Sequence, residues 1–94
     1  MNFDFNKEKN EILFQERGIT FQNVIDAIFD KGILADFPHP NKEKYPNQNI
    51  LVVEIDGYTH CVPYVENGNT IFMKTIFPSR KFMKLLENKW SNDT

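Results

Sequence analysis

NILVVEIDGYTHCVPYVENGNTIFMKTIF, residues 49–77, is the stretch whose reading decides the fold. β-Branched and other apolar residues crowd three short runs, 50–56, 59–65 and 70–77, separated by Asp56-Gly57 and Asn67-Gly68. Both dipeptides tolerate the positive φ that a type I′ hairpin turn needs at its two central positions. The spacing therefore predicts a three-strand antiparallel meander. With Asp56-Gly57 as a two-residue loop, Ile55 faces Tyr58, Val53 faces His60 and Leu51 faces Val62. With Asn67-Gly68 as the next, Val62 faces Met73, Tyr64 faces Ile71 and Cys61 faces Lys74.

Side chains alternate between the two faces of a strand. One face then carries Leu51, Val53, Ile55, Tyr58, His60, Val62, Tyr64, Ile71, Met73, Thr75 and Phe77, and is expected to lie on helices. The other carries Ile50, Val52, Glu54, Thr59, Cys61, Pro63, Val65, Phe72, Lys74 and Ile76. It mixes apolar residues with Glu54 and Lys74, as a partly open surface would. A slip of one residue would exchange the two sets.

Outward from the meander, Phe77-Pro78 leads to Ser79, a cap for a last helix with Phe82, Leu85, Leu86 and Trp90 inward. Arg80, Lys81, Lys84 and Lys89 are left outside. Upstream, Phe3 and Phe5 flank Asp4 in an edge strand or ordered arm. Asn6 caps a polar helix over Lys7 to Arg17, with Ile12, Leu13 and Phe14 as its narrow apolar stripe and Gly18 as its C′ residue. Thr20 caps a second helix. Its residues Phe21, Val24, Ile25, Ile28 and Phe29 recur at three and four residues, and Lys31-Gly32 ends it. Gly32 to Phe37 is a short apolar strand. Pro38 to Gln48 is a connection of eleven residues with three prolines, two lysines and no aliphatic side chain. That length marks it as functional or mobile. The fold class is α+β: two N-terminal helices, a small antiparallel sheet made of the meander plus a short strand, and a C-terminal helix, with helices packed on one side of the sheet.

Ninety-four residues make one domain, and 40% apolar content with nine Phe supports a packed core. The lone Cys61 cannot form an internal disulfide. The start, Met1-Asn2-Phe3-Asp4, lacks the pattern of a signal peptide, and no apolar run approaches the ~20 residues of a membrane span. A cytoplasmic protein is expected. The formal charge of −2 gives no global basic signature, but Lys42, Lys44, Lys74, Arg80, Lys81, Lys84 and Lys89 all fall in the second part. A local basic strip of that kind binds nucleic acid, or is simply a solvated surface.

The sequence has no phosphate-cradling glycine loop and no dinucleotide fingerprint. His39, His60 and one Cys fail the spacing and ligand number of a zinc set, so no metal or cofactor is expected. Adjacent His60 and Cys61 point to opposite faces and cannot act as base and nucleophile. His60 reads as a semi-buried histidine with its nitrogens satisfied. His39 sits between two prolines near Lys42, Lys44 and Tyr45, and is either a turn residue or a substrate contact. Ser79, Arg80 and Lys81 at a helix start suit a phosphate. Lys74 beside Glu54 would make a cross-strand ion pair. Tyr45, Tyr58 and Tyr64 are core or rim residues or stacking platforms for bases. Glu54 is the only carboxylate on the mixed face. It is the natural general base if that surface cuts RNA, because attack by the 2′-oxygen needs a base near a cationic clamp.

Phe3-Asp4-Phe5-Asn6-Lys7-Glu8-Lys9-Asn10 and Arg17-Gly18-Ile19-Thr20-Phe21-Gln22 resemble the opening of BrnT-type toxins. That family has an aromatic–acidic–polar start, a first helix, then H-G-[IV]-[ST]-F-E. Lys74-Thr75-Ile76-Phe77-Pro78-Ser79-Arg80-Lys81 resembles its terminal strand and the turn into the last helix. Arg17 stands in place of the family's histidine, and the arginine-rich tail is thinned to Arg80, Lys81 and Lys84. The resemblance implies a RelE-like fold and a small metal-independent endoribonuclease, the toxin of a type II toxin–antitoxin pair. It also implies a DNA-binding antitoxin as partner, in a homodimer or a toxin–antitoxin heterotetramer. On that reading Arg80 and Lys81 clamp phosphate with Ser79 and Lys84. Lys74 or Arg17 stabilises developing charge, Glu54 or His39 moves the proton, and Lys42, Lys44 and Tyr45 add substrate contacts. The alternatives are a non-catalytic protein-binding module and a regulatory protein that binds nucleic acid without cutting it.

Overall fold

Asp56 and Gly57 both take positive φ, at 53° and 76°, and the two-residue turn they form sets the expected register. Strand β3 (Asn49–Ile55) pairs antiparallel with β4 (Tyr58–Asn67), and Ile55 faces Tyr58, Val53 faces His60 and Leu51 faces Val62. The computed structural model describes the backbone of residues 1–91 and the side chains of residues 1–87. Trp90 and Lys89, assigned to the inward and outward sides of the last helix, have side chains outside the described residues.

The second turn differs from expectation by one step at each strand. The loop is Gly68-Asn69, with Gly68 at φ 61°, and Asn67 still pairs with Thr70. Tyr64 therefore faces Met73, not Ile71, along β5 (Thr70–Met73). A two-residue shift of register leaves each side chain on its face, because strands repeat every two residues. Glycine in the first central position, followed by a residue with negative φ, is the type II′ solution to the same hairpin.

The 70–77 run is not one strand. From the Tyr64–Met73 pair to the Cys61–Phe77 pair, the chain moves three residues back along β4 and four forward on the other side. One residue is extra, and a bulge separates β5 from the short strand β6 (Phe77–Pro78). The inserted residue reverses the alternation. Ile76, placed on the mixed face by simple alternation, is 1% exposed within the helix-side core. Phe77 packs instead on the opposite face with Ile50, Val52 and Cys61. Pro63 explains the location. Its carbonyl accepts from Lys74 N–H at 2.8 Å, so its missing N–H lies on the same edge, where no full ladder can form.

Strand β1 (Asn2–Phe5) joins β5 in parallel, so the sheet is mixed rather than wholly antiparallel. Strand β2 (Ala35–Pro38) pairs with β3 at the far edge, which gives the order β1-β5-β4-β3-β2, with β6 also on β4. Helix α1 (Lys7–Arg17) is capped by Asn6, whose side chain accepts from Lys9 N–H, and closed by Gly18 at φ 68°. Helix α2 (Phe21–Lys31) starts on a reciprocal box. Asn23 N–H donates to the Thr20 hydroxyl, and Thr20 N–H donates to the Asn23 side chain.

The helices bury Leu13, Phe21, Val24 and Ala27 against Leu51, Val53, Val62, Tyr64 and Met73. This is the face expected to do so. Phe29 is an exception: at 80% exposed it takes no part in that core, and Ile12 and Phe14 are also exposed. The last helix starts later than expected. Ser79 makes no side-chain cap, a 3-10 turn spans Arg80–Phe82, and α3 is Lys84–Ser91. That turn brings Phe82 onto the second face, so the sheet is covered on both sides, not one.

Candidate functional site

The expected site residues fall into two groups at opposite ends of β4. Ser79 N–H donates to the Thr59 carbonyl at 2.9 Å, and the Thr59 hydroxyl donates to the Ser79 carbonyl. Arg80 and Lys81 leave the sheet from there, both exposed. At the other end, Pro38 pairs with Asn49, which pairs with Tyr64. Five residues of strand, about 17 Å, separate Thr59 from Tyr64. His39, Lys42, Lys44 and Tyr45 thus lie at the end away from the point where Arg80 leaves the sheet.

At the Arg80 end, the Arg17 guanidinium donates from Nη1 to the Ile76 carbonyl at 2.5 Å. Ile76 lies between β5 and β6, outside either strand, and Arg17 supplies its carbonyl with a donor. A guanidinium has five donors, so the others remain for a ligand. No hydrogen bond or ion pair of the Arg80 side chain is found among the described residues. Ser79 and Lys81 both touch the environment of Cys61. Burial pushes that thiol up, while a hydrogen bond with Ser79 and the Lys81 charge act in the opposite sense. Lys84 is exposed at the start of α3. The anion site expected of a long helix start is reduced here, because a single 3-10 turn carries almost no dipole.

Glu54 lies in the same row. It pairs with Thr59, which bonds Ser79, so two strand spacings, about 10 Å, separate its backbone from Ser79. The expected ion pair with Lys74 does not form. Lys74 stands opposite Pro63, four residues further along β4, with its Nζ 5.0 Å over the Phe72 ring. Glu54 pairs instead with Lys31 of α2 at 2.5 Å, and its side chain is only 13% exposed. That hydrogen bond is the main cause raising the Lys31 ammonium above its ordinary value. Met83 sulfur accepts from Thr59 N–H, placing an apolar side chain beside the row.

The 39–48 connection is ordered. His39 N–H donates to the Gln48 carbonyl, extending the β2–β3 ladder, and Tyr45 N–H donates to the Asn41 carbonyl. Asn41 N–H donates to His39 Nδ1 at 3.1 Å, which requires the tautomer with its proton on Nε2. The His39 and Tyr45 rings lie 4.5 Å apart, and Lys44 Nζ sits 5.4 Å from the Tyr45 centroid. His60 is 5% exposed with Nδ1 at 2.9 Å from the Tyr58 carbonyl, a satisfied core histidine as expected.

Two contacts had no signal in spacing or composition. The Phe37 and Phe82 rings stack at 5.6 Å, tying β2 to the 3-10 turn, with Lys81 Nζ 5.7 Å over Phe82. The Tyr64 hydroxyl donates to both carboxylate oxygens of Asp36, and burial followed by that bond raises the phenol well above its ordinary value. Among the described residues no group of three His, Cys, Asp or Glu is placed to hold a metal, and no helix is long and apolar enough to cross a membrane. The chain matches no family model, no curated protein and no solved structure.

Proposed function

We propose that this chain is the toxin half of a toxin–antitoxin pair, a metal-independent endoribonuclease of RelE-like fold, restrained by a DNA-binding antitoxin. The observation that carries the reading is the corner where β6 leaves the sheet. Arg17 reaches the bulge carbonyl of Ile76, and Arg80, Lys81 and Lys84 follow within eight residues with no counter-charge on Arg80 among the described residues. The closing stretch that resembles BrnT-type toxins, Lys74 to Lys81, and Arg17 of the opening one lie at this corner.

Phosphate bound there is clamped by Arg80 and Lys81. The 2′-hydroxyl of the RNA gives up its proton and attacks phosphorus. The O2′–P bond forms, the P–O5′ bond breaks, and the leaving oxygen takes a proton. The products are a 2′,3′-cyclic phosphate and a 5′-hydroxyl. Preorganised cations stabilise the charge that develops on phosphorus. Of the two proton carriers, the geometry favours Glu54, in the Thr59–Ser79 row, over His39 at the far end. Glu54 must first exchange its bond to Lys31.

That commitment favours a second reading, in which the same corner binds RNA without cutting it. Inducible expression separates the two. Toxicity lost in Arg80→Ala with the fold intact, together with new 5′-hydroxyl ends in mapped cellular RNA, supports the ribonuclease. Growth unaffected by the wild-type chain, with no new ends, contradicts it.

A further inference from the structure

The ordered connection at the far end from Arg80 has no evident work in the core. It has no aliphatic side chain, yet it is held shut by its own backbone bonds and by the His39–Tyr45 ring pair. Compact loops of this kind, closed at the base and packed on themselves, are frequently functional. Phe37 is on the second face with Phe82, and the ladder continues from Pro38–Asn49 through the His39 N–H bond to Gln48. By alternation, His39 occupies the same side as Phe37.

We propose that Lys81, Phe82, Phe37, His39, Tyr45 and Lys44 form one track for single-stranded RNA, leading from the Arg80 corner to the 39–48 loop. Four rings lie along it, with a lysine at each end. Lys81 lies over Phe82, Phe82 stacks on Phe37, and His39 pairs with Tyr45 beneath Lys44. All four rings are half-buried. Unpaired bases stack on the open part of such rings, and lysines beside them meet the phosphates. A solvent-exposed Lys over a ring is held more weakly than a stacked base, so Lys44 yields the Tyr45 face and moves to the backbone. His39 Nε2–H, left free because Nδ1 accepts from Asn41, is a donor to a base edge or phosphate. Glu43, the loop's only carboxylate, is exposed and lies between Lys42 and Lys44. The strand distance between the two ends, about 17 Å, corresponds to roughly five nucleotides at stacked spacing.

The track rests on the reading of the corner as an RNA site, but its test is independent of cleavage. Fluorescence anisotropy is measured in EDTA with a length series of labelled 2′-O-methyl oligouridylates, which cannot be cut at the 2′-oxygen. Wild-type affinity is expected to rise up to about five nucleotides and then level. Tyr45→Ala is expected to weaken binding of the longer oligomers roughly 5–10-fold and leave a dinucleotide unaffected. Lys44→Ala is expected to lower the salt dependence by about one charge. Thermal melts of both variants should match wild type, since neither side chain is in the core. Binding independent of Tyr45 and of length overturns the track, even where Arg80-dependent cleavage stands. Loop-dependent binding without cleavage keeps the track and removes the ribonuclease. Competition by oligoglutamate as strong as by RNA also overturns it, in favour of an acidic protein partner.

Discussion

The two faces of the sheet are closed by different means. On the helix side, Leu51, Val53, Val62 and Met73 are wholly buried beneath two capped helices, with Phe21 and Val24 equally inaccessible. On the other side, Val52 and Cys61 are buried by pieces from distant parts of the chain: Phe37 from an edge strand, Phe77 after the bulge and Phe82 from a one-turn helix. The first face is a core that the amphipathic helix α2 and the meander specify between them. The second is assembled from residues of β2, β6 and the 3-10 turn, and both proposed RNA contacts lie along it.

Truncation on either side tests that contrast. Leu51→Ala is expected to cost about 3–4 kcal/mol, and Phe82→Ala about 2 kcal/mol, because Phe82 is only half-buried. Urea midpoints measure both, and equal losses would break the distinction. The bulge gives the next effect. Arg17→Ala leaves the Ile76 carbonyl short of its donor and is expected to cost about 1–2 kcal/mol, whereas Arg80→Ala should stay within about 0.5 kcal/mol. This separates a cation that builds the corner from one that serves it. Removal of the Asp36 contact by Tyr64→Phe is expected to cost about 1 kcal/mol at neutral pH. Because the native phenol is raised above its ordinary value of 10.0, its contribution is fully present below that pH and is lost as pH rises beyond it. Wild-type stability should therefore fall above pH 10, and the Phe variant should lose less. Smallest is Phe29→Ser, expected within about 0.5 kcal/mol because the ring is already in water.

Much of the first face was legible because each signal was local. Asn6, Gly18, Thr20 and the Asp56-Gly57 turn act within a few residues, and alternation then assigns Leu51, Val53 and Val62 correctly. The Asn67-Gly68 reading missed the turn by one residue at each strand, and the two-residue period hid the error. Alternation failed at Ile76 and Phe77, because the inserted residue shows only in pairing. Pro63, in mid-strand, was the one local sign of a broken ladder. Phe29 fits the helical period but is turned to solvent, while Ile25 and Ile28 beside it pack on the core. In the candidate site, charge and loop composition single out Arg80, Lys81 and the loop residues. Their separation along β4, the Lys31–Glu54 pair and the Phe37–Phe82 stack join residues 20 or more positions apart, and no spacing encodes them.

Single-turnover cleavage of 5′-labelled RNA by purified protein in EDTA, wild type against Arg80→Ala, bears most directly on the central claim. The account predicts wild-type cleavage that leaves 2′,3′-cyclic phosphate ends and is lost, by roughly 100-fold or more, in the variant with unchanged thermal stability. Intact RNA with the wild-type protein, or equal cleavage by both proteins, would contradict it.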